Sequence, residues 1–198
     1  VTVVDDTAAL GQAETTVLLH EFKDGLRRYL ASRGQTTQVK SLDELIAFNE
    51  RHADTELRFF GQQLLHAAAA AGPLTDPAYR QAHALCRRLA RRDGIDAVLR
   101  RHRLDAVIAP TTGPAWLVDP LHGDHFPGGC SQPAAVAGTP HVTVPAGLAG
   151  GLPVGLSFFG AAWSEAKLLR LAHAFEAVAP PQPVPGFAAS VTPGRPGA

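Results

Sequence analysis

The chain has 198 residues, 18 basic and 18 acidic side chains, 45% hydrophobic residues and two cysteines. Zero formal charge argues against a nucleic-acid partner, because neutralising phosphates needs a cationic excess, and the apolar content excludes disorder over most of the length. No run of eighteen apolar residues marks a membrane span, and Cys86 and Cys130 are too few and too far apart for a disulfide scaffold or a four-ligand zinc site.

The first residues, Val-Thr-Val-Val-Asp-Asp, carry neither an initiator Met nor a signal sequence, so the chain is expected to be a piece of a longer protein. Localisation stays open, leaning to the cytoplasm. Residues 1–4 read as a short strand, and Asp5, Asp6 and Thr7 can cap a following helix. Leu10, Val17, Leu18, Phe22, Leu26, Tyr29 and Leu30 then recur at three- and four-residue spacing up to a stop at Gly34. Ser41-Leu-Asp-Glu44 is a capping box that opens a helix carrying Leu42, Leu45 and Ile46. Phe59, Phe60, Leu64, Leu65 and an alanine run read as a further helix ended by Gly72-Pro73. Thr75-Asp76-Pro77 places a cap and a first-turn proline before a long helix through Tyr79, Leu85, Cys86, Leu89, Val98 and Leu99, with a bend expected near Gly94.

Past residue 104 the texture changes. Asp105-Ala-Val-Ile-Ala109, closed by Pro110, reads as a buried strand, and the Gly-, Pro-, His- and Asp-rich stretch from Thr111 to Cys130 as a loop long enough to line a site. A short helix is expected over Ser131 to Ala137. HVTVPAG (141–147) and LPVGLSF (152–158) flank Ala149-Gly150-Gly151 as a β-hairpin. Ser164 caps a last helix, with Trp163 and Leu168 placed as a hydrophobic staple. The organisation is a helical half (5–103), a strand-containing half (104–179) and a Pro/Gly-rich tail (180–198).

Local signals for chemistry are sparse. Gly155-Leu-Ser157-Phe-Phe-Gly160 has the wrong spacing for a nucleophile elbow and reads as a core strand. His122-Gly-Asp124-His125 with Cys130 has metal-ligating side chains in no recognised spacing, and no metal is assigned. Gly128-Gly129-Cys130-Ser131 allows a thiol at a helix N-terminus, hence a cysteine hydrolase, against the plainer reading that Ser131 caps the helix and Cys130 is packed. Cys86 belongs to the core. Lys23 and Lys167 are expected to be solvated, as is the arginine face formed by residues 87, 88, 91, 92, 100, 101 and 103.

Three stretches taken together carry a resemblance: Ala134-Ala-Val-Ala-Gly-Thr-Pro-His-Val-Thr-Val-Pro-Ala-Gly147, Gly151-Leu-Pro-Val-Gly-Leu-Ser-Phe-Phe-Gly160, and Glu165-Ala-Lys-Leu-Leu169 with Ala174-Phe-Glu176. In this order they resemble the C-terminal end of amidase-signature enzymes, and upstream pieces such as Glu-Phe-Lys23, Leu-Ile-Ala-Phe-Asn49 and Leu104-Asp-Ala-Val-Ile-Ala-Pro-Thr111 extend the match over about residues 1–178. The resemblance implies an α/β fold, a mixed β-sheet flanked by helices and incomplete in this chain. It implies hydrolysis of small-molecule or peptide amides without metal or cofactor, by a Ser nucleophile, a second Ser in a cis peptide, and a Lys. The sequence has no Ser-Ser pair, no Gly-Gly-Ser-Ser loop and no lysine placed to serve one, so no catalytic residue carries over, and the chain alone is expected to be inactive. Ligands of open α/β sheets sit beyond strand ends, which makes Thr111, Thr112, Asp124 and Ser131 the candidates for substrate contacts. The rival reading is a non-catalytic binding module that self-associates into a homo-oligomer through an exposed sheet surface.

Overall fold

The computed structural model describes residues 1–117, 119, 121–179 and 181. The expected tail at 180–198 lies outside the described residues, Pro181 excepted. The chain divides into two compact units, Asp6–Arg88 and Val1–Asp5 with the chain from Leu89 onward. Among the described residues no helix is long and apolar enough to cross a membrane.

The first unit is helical. Asp6 accepts a hydrogen bond from the Ala9 amide and starts α1 (Thr7–Ser32), whose buried residues are Leu10, Ala13, His20 and Leu30. Leu18, Phe22 and Tyr29, expected on the inner stripe, are exposed, because helix contacts cover only part of this face. Ser41 Oγ accepts from the Glu44 amide and opens α2 (Leu42–Arg51), while the Glu44 carboxylate returns to the Lys40 amide. A single turn, α3 (Ala53–Glu56), precedes α4 (Gln63–Ala70). Phe59 and Phe60 lie outside both helices, at 66% and 72% exposure, so their apolar character misleads about helix and core alike. Leu42, Ile46 and Ala68 form the core, and buried Gln62 donates to the Ile46 carbonyl, holding the entry of α4 on α2. Lys23 is not solvated as expected: Nζ donates to the carbonyls of Ala69 and Ala71 at 2.7 and 2.8 Å, satisfying orphan acceptors at the end of α4. Asp76 and Pro77 open α5 (Pro77–Cys86) as read from sequence, and burial raises the Cys86 thiol pKa.

A wide-turned segment, Arg87–Ile95, follows and bends at Gly94, whose φ of −90° and ψ of −110° leave the helical region. In the second unit a Cβ at Gly94 would lie 3.0 Å from the Val3 carbonyl oxygen. Residues 1–4 form no strand; Val4 is instead buried, since four residues without a pairing partner gain nothing from extended structure. After α6 (Asp96–His102) come β1 (Val107–Pro110), α7 (Ser131–Ala137), β2 (His141–Ala149), β3 (Leu152–Phe159) and α8 (Glu165–Glu176).

The strands form a sheet in the order β1-β3-β2, with both pairings antiparallel. Gly150 and Gly151, with φ of 58° and 83°, supply the two positive values that a tight β2–β3 hairpin turn requires. A bulge between Pro145 and Gly147 accommodates a proline without an amide to pair. Val144 and Phe158 pack under Leu168 and Ala172 of α8, so this helix covers one sheet face. Trp163 is 91% exposed with φ of 62°, and therefore forms no staple with buried Leu168. Ser164 stands at the cap position, but its hydroxyl donates to the Ala161 carbonyl rather than capping. Lys167 is exposed, as expected, and pairs at the surface with Asp105 at 2.6 Å.

Candidate functional site

Alternation along β3 sends Leu156 and Phe158 toward α8, and Gly155, Ser157 and Phe159 to the opposite face. Register places Thr143 beside Ser157 and His141 beside Phe159 on that same face. The chain leaving β1 brings Thr111 alongside, its amide bonded to the Gly155 carbonyl at 2.9 Å.

These placements build a row of polar side chains. His141 Nε2 lies 2.7 Å from Ser157 Oγ, Ser157 Oγ 2.8 Å from Thr111 Oγ1, and Thr111 Oγ1 2.5 Å from Thr143 Oγ1. Thr143 Oγ1 ends the row with a 3.4 Å bond to the Leu156 carbonyl. Ser157 has no exposed surface, so its place in a strand core is tenable only because both neighbours satisfy its hydroxyl. Thr143, at the other end, is exposed. The His141 ring stacks on Phe159 with centroids 5.5 Å apart, and burial pushes its pKa below the ordinary histidine value. Gly155 leaves the space in which the two threonine hydroxyls meet: a Cβ there would lie 2.7 Å from Thr111 Oγ1 and 2.8 Å from Thr143 Oγ1.

The loop from Thr111 to Cys130 returns to its own start. Thr112 forms an isolated antiparallel bridge with Gly129 and its hydroxyl donates to the Gly128 carbonyl at 2.9 Å, while the Cys130 amide donates to the Thr111 carbonyl. Farther out, Asp124 accepts from Trp116 Nε1 at 3.2 Å, and the Trp116 and Phe126 rings meet edge to face. Asp119 is held below the ordinary carboxylate range first by the backbone amide of His122, then by the His122 ring and the Leu121 amide.

Of the four residues proposed from sequence, Thr111 and Thr112 thus lie together at the strand end, and Asp124 sits in the outer part of the loop. Ser131 is the first residue of α7 and exposed; the cap position belongs to Cys130, and no side chain caps the helix. The metal-ligating set does not assemble. His122 and His125 turn to Asp119, and among the described residues no three His, Cys, Asp or Glu side chains are placed to hold a metal. The cysteine-hydrolase alternative needs a histidine on Cys130, whereas His141 is engaged with Ser157.

Sequence reading did not single out His141 or Thr143, and took Ser157 only as part of a core strand, where the structure indeed buries it. The signal was there: in HVT (141–143) and in Gly155-Leu-Ser157 the residues at period two are small or polar, marking a strand face that is not apolar core. In the helical unit a cleft of about 580 Å³ is lined by Lys23, Asp24, Ser41 and Leu74. Of its charged groups, Lys23 is engaged by carbonyls and Asp24 by Arg27 and Arg28.

The family model for amidases matches residues 6–169. A peptide amidase from Stenotrophomonas maltophilia of known structure is 50% identical and superposes with a TM-score of 0.79, covering 88% of this chain and 34% of that one. A peptide amidase solved with the competitive inhibitor chymostatin gives 50% identity and a TM-score of 0.82, over 88% of this chain and 35% of that one. A probable amidase of Arabidopsis thaliana is 33% identical over 165 residues, which is 82% of this chain and 28% of the relative. The chain therefore spans about a third of the length of the proteins it matches.

Proposed function

From a chain that belongs to the amidase family, we propose a C-terminal portion of an amide hydrolase whose Ser-Ser-Lys centre lies in a preceding part of the polypeptide. Residues 1–179 form the amidase-like part. Half of the aligned positions are identical to a peptide amidase over 88% of this chain, and this observation carries the reading. It also favours peptide amides as the substrate class.

In such an enzyme the chemistry requires a nucleophilic hydroxyl, a base to take its proton, and amide donors for the oxyanion. The present chain supplies none of the serine pair. What it offers is a supported strand end: the sheet backed by α8, with Thr111 and Thr112 at its edge and Gly128, Gly129 and Cys130 bonded back to them. We assign substrate positioning to this corner, with Thr111, Thr112, Asp124 and Ser131 as candidate contacts.

The test compares the 198-residue chain with a polypeptide that also carries the preceding amidase segment, using ammonia release from an N-acetyl dipeptide amide. The longer protein is expected to turn over and the chain alone to match buffer. Turnover by the isolated chain overturns the proposal. Inactivity of both, with stable oligomers of the isolated chain, supports the non-catalytic assembly module instead.

A further inference from the structure

Helix α1 turns one apolar stripe away from its own unit. A four-three-four spacing places Leu18, Phe22, Gly25 and Tyr29 within about 60° of the helix circumference. The other faces are in use: Leu19 and Leu26 pack on the core of Leu42, Ile46 and Ala68, and Leu10, Ala13, His20 and Leu30 are buried. Leu18, Phe22 and Tyr29, by contrast, are 58%, 44% and 59% exposed. Polar side chains beside the stripe are engaged within the unit. Thr15 donates to the Gly11 carbonyl, Glu21 accepts from the Tyr79 hydroxyl, and Arg28 pairs with Asp24.

Gly25 is a second, independent sign. It lies inside the helix and an added Cβ would meet nothing within 4 Å, so neither backbone strain nor crowding in this chain asks for a glycine. In a helix interior only proline costs more. What glycine provides between Phe22 and Tyr29 is a notch, where another backbone can come close.

We infer that, in the longer polypeptide, the stripe of Leu18, Phe22, Gly25 and Tyr29 is covered by an apolar face of the preceding amidase segment, which makes its closest approach at Gly25. This cover presupposes the amide-hydrolase reading. Two observations favour it over a second copy of the chain. The match takes in 34% of the peptide amidase of known structure, which leaves about two thirds of that polypeptide to cover such surfaces. Three side chains on one helix fall far short of the roughly 20–30 residues a side of a stable complex, whereas a covalently joined segment is held at high effective concentration and needs no such area.

The test uses the 198-residue chain and the polypeptide that also carries the preceding segment. Hydroxyl-radical footprinting is expected to modify Leu18, Phe22 and Tyr29 freely in the chain and to lose most of that modification in the longer protein. Equal modification in both overturns the inference. Protection in the chain alone that grows with its concentration also overturns it, since the cover is then a second copy. Gly25→Ala gives a readout of opposite sign. It is expected to raise the thermal midpoint of the chain and to lower that of the longer protein, where the methyl group fills the notch. A rise in both overturns the close approach at Gly25. Amide release by the longer protein with the stripe still modified defeats the inference and keeps the hydrolase reading; a protected stripe without amide release does the reverse.

Discussion

Replacing Gly155 with alanine puts a methyl group into the one gap on which the threonine pair depends. The new Cβ would lie 2.7 Å from Thr111 Oγ1, 2.8 Å from Thr143 Oγ1 and 3.3 Å from Thr111 Cβ. Both neighbours are β-branched and stiff at χ1, so neither hydroxyl can swing away while keeping its bond. Overpacking of this kind costs roughly 1–3 kcal/mol, and each neutral hydrogen bond lost from the row adds roughly 1 kcal/mol. Reduced freedom of the unfolded chain returns about 0.4–1 kcal/mol. The net expectation is a loss of about 2–4 kcal/mol, read as a lower urea midpoint with unchanged slope. Gly25→Ala is the matched control, because nothing lies within 4 Å of the added Cβ in the interior of α1. Helix propensity alone should then raise stability by about 0.8–1.0 kcal/mol. A Gly155→Ala midpoint within error of the parent would refute the claim that this row is tightly held.

Leu168 is 1% exposed between Val144, Phe158 and Ala172, so Leu168→Ala should cost roughly 2–5 kcal/mol in equilibrium unfolding and speed hydrogen exchange along β3. Burial lowers the pKa of His141 from 6.5. The unfolded chain thus binds a proton first, and stability should fall as pH drops through 6.5 and level off below the depressed value; His141→Gln should flatten that part of the profile. Asp119 behaves with the usual carboxylate sign. Its pKa is lowered from 3.8, so its hold on Leu121 and His122 is present above that pH and is lost as acid is added through the depressed value. Amide resonances of Leu121 and His122 should report the loss, and Asp119→Asn should move them already at neutral pH.

Much of the local structure was legible because its causes are local. Asp6, Ser41 and Asp76 lie within a few residues of the amides they cap, and Gly150-Gly151 carries its turn conformation in its own backbone. Features that need a distant partner were not legible. Phe59 and Phe60 are as apolar as core residues yet stay exposed, and Trp163 has the right spacing for a staple but a backbone angle that turns it outward. The two lysines found their acceptors 46 to 62 residues away.

By itself the sequence determined the helical and strand-bearing stretches, the hairpin, and membership of a family of amide hydrolases, since caps, turn glycines and motif text are written within short windows. Only the tertiary structure decided that His141, Ser157, Thr111 and Thr143 form one bonded row. Ser157 reads as core in a one-dimensional pattern. Its partners lie 16 and 46 residues away, and it is strand register that makes a buried hydroxyl a satisfied one.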